Sequence, residues 1–122
     1  MARLAMGELE GAVMDMLWDR GGWLTPGEVR KVLAADHPVA YTTVMTILVR
    51  LWRKQRVERR RDGRAFAYRP TQGREEYAAE KMRELLADAA DRPAALAYFL
   101  KSLTRSDRAE LRKMLRGRER PT

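Results

Sequence analysis

The sequence predicts a mostly α-helical protein that contains one small β-hairpin. Apolar residues recur at helical spacing three times within residues 7–54, which predicts three successive helices. The spacing changes to a period of two in residues 57–69, which predicts two paired strands. Helical spacing returns in residues 74–116, which predicts three further helices. We therefore expect two parts, residues 1–70 with the hairpin and residues 71–122 with helices alone.

The first helix has an apolar face and a defined end. Leu9, Val13 and Leu17 lie at positions i, i+4 and i+8, so they share one side of a helix. Gly21 and Gly22 follow, and glycine readily adopts the left-handed conformation that closes a helix. This segment is therefore predicted to be an amphipathic helix that stops at the two glycines.

The second helix begins at the strongest local signal in the chain. Thr25 as N-cap, Pro26 at the first helical position and Glu28 three residues after the cap form a capping box. The helix is predicted to run from Pro26 to about Ala35, because His37 precedes a proline and is therefore disfavoured in helical backbone.

The third helix, predicted over residues 41–54, has two chemically different sides. Its apolar stripe consists of Val44, Ile47, Leu48 and Leu51. Its other side carries hydroxyl and guanidinium groups on Thr42, Thr43, Thr46, Arg50 and Arg53. A buried stripe opposite such groups is what a helix lying in a DNA groove requires.

A basic hairpin is predicted next. Residues 57–61 and 64–69 flank Asp62-Gly63, which is a strong signal for a two-residue turn. Phe66 and Tyr68 share one face of the second strand and are expected to pack inward. Three helices followed by a two-stranded ribbon is the order of a winged helix-turn-helix domain. We therefore assign the first part of the chain to a winged-helix DNA-binding domain.

Positive charge is concentrated at the end of the third helix and in the hairpin. The chain has 25 Lys and Arg residues against 17 Asp and Glu residues, a net charge of +8. The stretch from Arg50 to Arg64 has eight basic and two acidic residues, so it contributes +6. Its basic residues are Arg50, Arg53, Lys54, Arg56, Arg59, Arg60, Arg61 and Arg64. A charged run is usually a solvated face, but its place beside a helix of recognition type favours contact with DNA phosphates.

The sequence predicts which side chains of this surface meet DNA. Thr42, Thr43 and Thr46 can reach base edges, although their hydroxyls can instead bond to the backbone. Tyr41 suits a phosphate oxygen, or it packs on the first helix. The arginines expected to bind DNA are Arg50, Arg53, Arg60, Arg61 and Arg64. Among the tryptophans, we expect Trp18 in the core, Trp23 bracing the second helix and Trp52 supporting the hairpin.

Residues 71–122 are assigned to a helical dimerisation domain, which begins after Pro70. Three short amphipathic helices in about 50 residues cannot bury their apolar stripes alone, so a second copy of the chain is expected to cover them. The residues expected in this interface are Met82, Leu85, Leu86, Leu96, Phe99, Leu100, Leu111, Met114 and Leu115.

Several other kinds of function are disfavoured. The chain has no cysteine, so disulfides and thiolate metal sites are excluded. His37 is the single histidine, and a structural or exposed role is favoured over metal binding. Ser102 and Ser106 lack a nucleophilic constellation, so we expect no enzyme, no cofactor and no metal. No signal peptide pattern and no stretch near the roughly 20 apolar residues of a membrane span occur, so a cytoplasmic protein without membrane insertion is expected.

Several motifs resemble the penicillinase repressor family (BlaI/MecI/CopY type). The most specific are YTTVMT at residues 41–46 and RDGRAFAY at residues 61–68, and GELE at residues 7–10 also matches. The resemblance covers nearly the whole chain, with a looser fit in residues 95–99 and 111–115.

The resemblance implies a homodimeric transcriptional repressor that binds a pseudo-palindromic operator of β-lactamase or related antibiotic-resistance genes. In several members, a membrane-bound sensor protease responds to β-lactam and leads to repressor cleavage in the dimerisation domain. The matching bond here is Tyr98–Phe99, where the best-known members have asparagine before the phenylalanine. The copper-responsive branch senses metal through C-terminal cysteines, which this chain lacks. Gln55 stands where the family commonly has glycine.

Two other classes of function compete with a sequence-specific repressor. A non-specific or architectural nucleic-acid-binding protein would need only the basic charge, and it would not distinguish a palindrome from scrambled duplex. A protein-interaction adaptor would keep its partner affinity in 1 M salt, where the Debye length is about 3 Å.

Overall fold

The computed structural model describes residues 5–119, and the side chains of residues 5–117. Within that range the chain forms six helices and one antiparallel hairpin, as predicted. No helix there is both long enough and apolar enough to cross a bilayer. The elements in chain order are α1 (Met6–Arg20), α2 (Pro26–Leu33), α3 (Tyr41–Arg53), β1 (Val57–Asp62), β2 (Ala65–Pro70), α4 (Arg74–Asp88), α5 (Arg92–Ser102) and α6 (Arg105–Glu119).

The capping box at α2 is confirmed. The backbone N–H of Glu28 donates to Thr25 Oγ1 at 3.3 Å, and the backbone N–H of Thr25 donates to Glu28 Oε1 at 3.1 Å. The bond from the Thr25 N–H, together with one that the Thr25 hydroxyl donates to the same oxygen at 2.9 Å, lowers the pKa of the Glu28 carboxyl. The helix ends at Leu33, two residues before the predicted Ala35, and Ala34 is its C-cap.

The first three helices and the hairpin enclose one apolar core. Its buried side chains are Leu9, Val13, Met14, Met16, Leu17, Leu24, Val29, Leu33, Val44, Ile47, Leu48, Leu51, Val57, Tyr68 and Tyr77. Leu24 pairs with Tyr68 through two backbone hydrogen bonds of 2.9 and 2.8 Å, which join the hairpin to the turn before α2. Trp18 and Phe66 are half-buried and pack against this core, so they lie at its margin. Each fully buried large side chain contributes about 1.5–3 kcal/mol of stability.

The hairpin turn differs from the predicted one by one residue. Asp62 pairs with Ala65 in the strand ladder, so the two loop residues are Gly63 and Arg64 and not Asp62 and Gly63. Gly63 has φ +66°, whereas Arg64 has no positive φ. This sign pattern is that of a type II′ turn, in which glycine takes the first central position. The aspartate therefore belongs to the ladder.

The turn after α3 holds a non-glycine residue in left-handed backbone. Gln55 has φ +62°. Its N–H donates to the Trp52 carbonyl at 2.9 Å, and the Arg56 N–H donates to the Leu51 carbonyl at 2.9 Å, which is the Schellman pattern of helix termination. Glutamine costs about 1 kcal/mol more than glycine in this conformation. The Thr71 hydroxyl donates to the Gln55 carbonyl at 2.7 Å and holds the turn in place.

The chain divides into two compact units, Met1–Ala78 and Ala79–Thr122. The division falls inside α4, later than the boundary predicted after Pro70, because the first turn of α4 packs on the first unit. Tyr77 is buried there and meets Trp18 edge to face, with ring centroids 5.5 Å apart. Trp18 Nε1 also donates to the Gln72 carbonyl at 2.8 Å.

The second unit consists of capped helices with exposed apolar side chains. Asp91 caps α5 by accepting from the Ala94 N–H at 3.0 Å. Thr104 and Asp107 cap α6, with reciprocal bonds of 3.0 and 3.1 Å. No side chain of residues 79–117 is buried within the single chain.

Candidate nucleic-acid interface

One ridge of α3 faces away from the core. Thr42, Thr46, Val49 and Arg53 follow the spacing i, i+4, i+7 and i+11, so they lie in one row along the helix. The row is opposite the predicted apolar stripe, all four residues of which are buried. Thr42, Thr46 and Arg53 are exposed, and Val49 is half-buried. We call these four residues the outward ridge.

The threonines predicted at base edges differ in their surroundings. Thr42 and Thr46 are exposed, whereas Thr43 is half-buried at the side of the ridge. The Thr46 hydroxyl donates to the Thr42 carbonyl at 2.9 Å, so its hydroxyl bonds to the backbone, which was one of the two predicted possibilities. Tyr41 is 46% exposed at the start of α3 and is not one of the buried residues of the core.

The hairpin presents its arginines on two faces, because side chains alternate along a strand. Arg59 and Arg61 share one face with Phe66 of the paired strand. Arg60 lies on the other face, where its Cζ is 4.4 Å from the centroid of the Trp23 ring. The predicted DNA-binding arginines of β1 are thus on opposite sides of the ribbon.

Arg59 connects the hairpin to α3. Its Cζ lies 3.5 Å from the centroid of the Trp52 ring and 4.0 Å from that of the Phe66 ring. Such contacts contribute about 0.5–2 kcal/mol each, depending on how far the cation is desolvated. Trp52 therefore supports the hairpin as predicted, through its contact with the Arg59 guanidinium.

The N–H groups of Arg59 make no hydrogen bond or ion pair within the described residues. A guanidinium that stacks on aromatic rings keeps its donors in its own plane, where they can reach an acceptor. The sequence prediction placed Arg59 in the basic run but did not name it among the arginines expected to bind DNA. The sequence feature that could have identified it is its position between two aromatic residues of different elements, Trp52 and Phe66, on which a guanidinium can stack.

Arg56 does not belong to the exposed basic surface, so its inclusion in the predicted surface is wrong. Its side chain is 1% exposed, and Nη1 donates to Glu10 Oε1 at 2.9 Å. Lys54 Nζ lies 3.6 Å from the same carboxylate oxygen. The Arg56 guanidinium also lies over the Tyr77 ring, and burial raises the pKa of the Tyr77 hydroxyl. This arginine therefore stabilises the first unit from inside.

The remaining predicted arginines are exposed. They are Arg50, Arg53, Arg60, Arg61 and Arg64. Arg53 lies on the outward ridge, and Arg64 lies in the hairpin turn. Arg69, on the Trp23 face, is paired with Glu58 and is therefore less available to a phosphate. No cluster of three or more metal-ligating side chains occurs within the described part of the chain.

The predicted interface residues of the second unit are exposed, with one exception. Leu86 is half-buried. The exposed members are Met82, Leu85, Leu96, Phe99, Leu100, Leu111, Met114 and Leu115. Tyr98, the residue before the predicted cleavage bond, is 73% exposed within α5.

Comparison with known proteins agrees with this architecture. A family model described as penicillinase repressor matches residues 6–117. The transcriptional regulator BlaI of two Mycobacterium tuberculosis strains is 44% identical over 119 residues, covering 94% of this chain and 86% of the relative. The solution structure of the DNA-binding domain of the repressor BlaI is 28% identical, with a TM-score of 0.52, over 57% of this chain and 84% of that domain.

Proposed function

This chain belongs to the penicillinase repressor family, and we propose that it represses transcription by binding a pseudo-palindromic operator in duplex DNA as a homodimer. The observation that carries the proposal is the stacking of Arg59 on Trp52, because it joins the cationic hairpin to α3. One duplex can then meet the outward ridge and the hairpin together. The proposal assigns no enzymatic activity to the chain.

The proposal divides the contacts into two kinds. The outward ridge of α3 enters the major groove and reads bases through Thr42, Thr46 and their neighbours. The exposed arginines and Tyr41 bind phosphates, which set affinity and register without reading sequence. Arg59 joins them as a phosphate ligand, because the two aromatic rings orient its unused donors in advance.

We further propose that a second copy of the chain covers the apolar side chains of the second unit. Leu85 is 74% exposed and Leu115 is 61% exposed, and exposed apolar patches of this kind mark interaction sites. A two-fold dimer places two recognition helices about 34 Å apart, one helical turn of DNA, and a bound dimer excludes polymerase sterically.

The proposed target genes are those of β-lactamase or related antibiotic responses, and the proposed compartment is the cytoplasm, where the operator lies. Release follows when the dimer weakens, since one half-site alone binds DNA much less tightly. The proposed partner for release is a membrane sensor protease or its downstream effector. The bond Tyr98–Phe99 lies inside α5, so cleavage there requires local unfolding of that helix.

Selection of duplexes from a random library with the purified protein tests this function. An enriched dyad with half-sites about one helical turn apart is expected, together with a dimer in analytical ultracentrifugation at micromolar concentration. Equal affinity for the selected and the scrambled duplex would favour an architectural nucleic-acid-binding protein instead. A monomer at that concentration would reject the dimeric assignment.

A further inference from the structure

The hydroxyl of Thr46 is already used within α3. Its proton is donated to the Thr42 carbonyl at 2.9 Å, and the residue as a whole is exposed. A threonine has one other group on Cβ, which is a methyl. The donor of Thr46 is therefore used within its own helix, and the residue presents to a partner in front of the outward ridge its apolar methyl and a hydroxyl oxygen that can only accept.

Val49 extends this apolar character along the ridge. It lies three residues after Thr46, on the helix side opposite the buried stripe, and it is half-buried. Within the described residues it belongs neither to the core cluster nor to the half-buried apolar side chains that pack against that cluster. Core packing therefore does not account for a valine at this position. Arg53 follows four residues later on the same ridge and can bind a phosphate beside it.

We propose that α3 reads its operator through thymine C5-methyl groups, which contact the Thr46 methyl and the Val49 side chain. The inference rests on the proposed function and names the base chemistry that the outward ridge recognises. The thymine methyl is the one apolar feature that a base pair presents in the major groove, and threonine methyls and other small apolar groups contact it. Each enriched half-site therefore contains a thymine in front of Thr46 or Val49.

The first test uses the duplex enriched from the random library, synthesised with deoxyuridine in place of thymidine at one position at a time. Deoxyuridine pairs as thymidine does and lacks only the C5-methyl. We expect about four-fold weaker binding for each contacted thymine, which corresponds to about 0.8 kcal/mol for one buried methyl. Replacement at spacer thymines is the matched control, and it should leave affinity unchanged.

The second test separates methyl from hydroxyl at Thr46. Thr46→Val keeps a methyl and removes the hydroxyl, so it should retain operator affinity and sensitivity to deoxyuridine. Thr46→Ser keeps the hydroxyl and its bond to the Thr42 carbonyl, so it should bind about four-fold more weakly and lose sensitivity at the contacted thymine. Val49→Ala should act as Thr46→Ser does, at a thymine further along the half-site.

Three results would overturn the inference and leave the repressor proposal intact. The first is an operator that binds equally well with deoxyuridine at every thymine position. The second is a Thr46→Val variant that no longer distinguishes thymidine from deoxyuridine while Thr46→Ser still does. The third is a loss of affinity on removing a thymine methyl that neither Thr46→Ser nor Val49→Ala alters. Failure to enrich any sequence would instead reject the proposed function. All three variants keep the net charge, so their affinity for scrambled duplex should be unchanged. Unchanged thermal midpoints would show that each variant is folded.

Discussion

The two units of this chain treat their apolar residues in opposite ways. The first unit buries the stripes of α1, α2 and α3 against one another and against the hairpin. The second unit has helices of similar length and good caps, yet none of its described side chains is buried in the single chain. The first unit therefore obtains its stability from its own core, whereas we propose that a second copy of the chain covers the second. Because of this difference, substitutions in the two units should alter different measurements.

The largest effect is expected from a charge in the apolar surface of the second unit. Phe99→Asp should convert the dimer to a monomer in analytical ultracentrifugation and weaken operator binding by about 10²–10⁴-fold, because the second half-site is no longer tethered. The thermal unfolding of the first unit should be unchanged. Lys101→Asp places the same residue on the other side of α5 and should leave the dimer intact. A Phe99→Asp protein that stays dimeric would contradict the assignment of this surface.

The matching change in the first unit removes the buried carboxylate. Glu10→Ala leaves Arg56 charged inside the core and should cost about 3–5 kcal/mol in the free energy of unfolding, measured with urea. Glu8→Ala, on the same helix and exposed, should cost less than about 1 kcal/mol. Equal midpoints for the two variants would show that the ion pair does not hold the first unit together.

A smaller effect on DNA binding distinguishes the arginines of the hairpin from basic residues elsewhere. Arg59→Ala should weaken binding to all duplexes about tenfold and make the negative slope of log K against log salt shallower by about one, since one phosphate contact is lost. Trp52→Ala removes no charge, so it should weaken binding without changing the slope.

Lys113→Ala in α6 is the control for lost charge, and its slope should equal that of the unaltered protein. Arg60→Ala tests the opposite face of the ribbon and is also expected to make the negative slope shallower by about one. An unchanged slope for Arg59→Ala would show that Arg59 binds no phosphate and serves to connect the hairpin to α3.

The smallest effect is a gain in stability. Gln55→Gly should raise the free energy of unfolding by about 0.5–1 kcal/mol, because glycine adopts φ near +62° without a Cβ clash. Gln55→Ala keeps the Cβ and should give no gain. The bond from Thr71 goes to the backbone carbonyl and survives both changes. A loss of stability in Gln55→Gly would mean that the glutamine side chain stabilises the fold by more free energy than its left-handed backbone costs.

Elements with local causes could be predicted from the sequence. The capping box of Thr25 and Glu28 and the buried stripe of α3 involve residues within one or two helical turns of each other. The left-handed backbone of Gln55 agrees with the glycine that the family commonly has at this place, because glycine favours that conformation. The division of α3 into a core side and an outward side follows in the same way from the helical period.

Contacts between distant residues could not be predicted. Arg56 looked like one more member of a basic run, but its partner Glu10 lies 46 residues away in the sequence. The contact of Arg59 with Trp52 depends on how the hairpin folds back on α3. The turn residues were misplaced by one position because the ladder pairs Asp62 with Ala65, a choice that the Asp-Gly signal leaves open.

The sequence by itself therefore determined the order of the helices, the hairpin, the position of the basic segment and the family. Only the tertiary structure decided which cation is buried, which one lies between aromatic rings, and which group Thr46 leaves free. The physical reason is that periodicity and capping depend on backbone hydrogen bonds between near neighbours, whereas the environment of a side chain depends on which distant surfaces the core brings together.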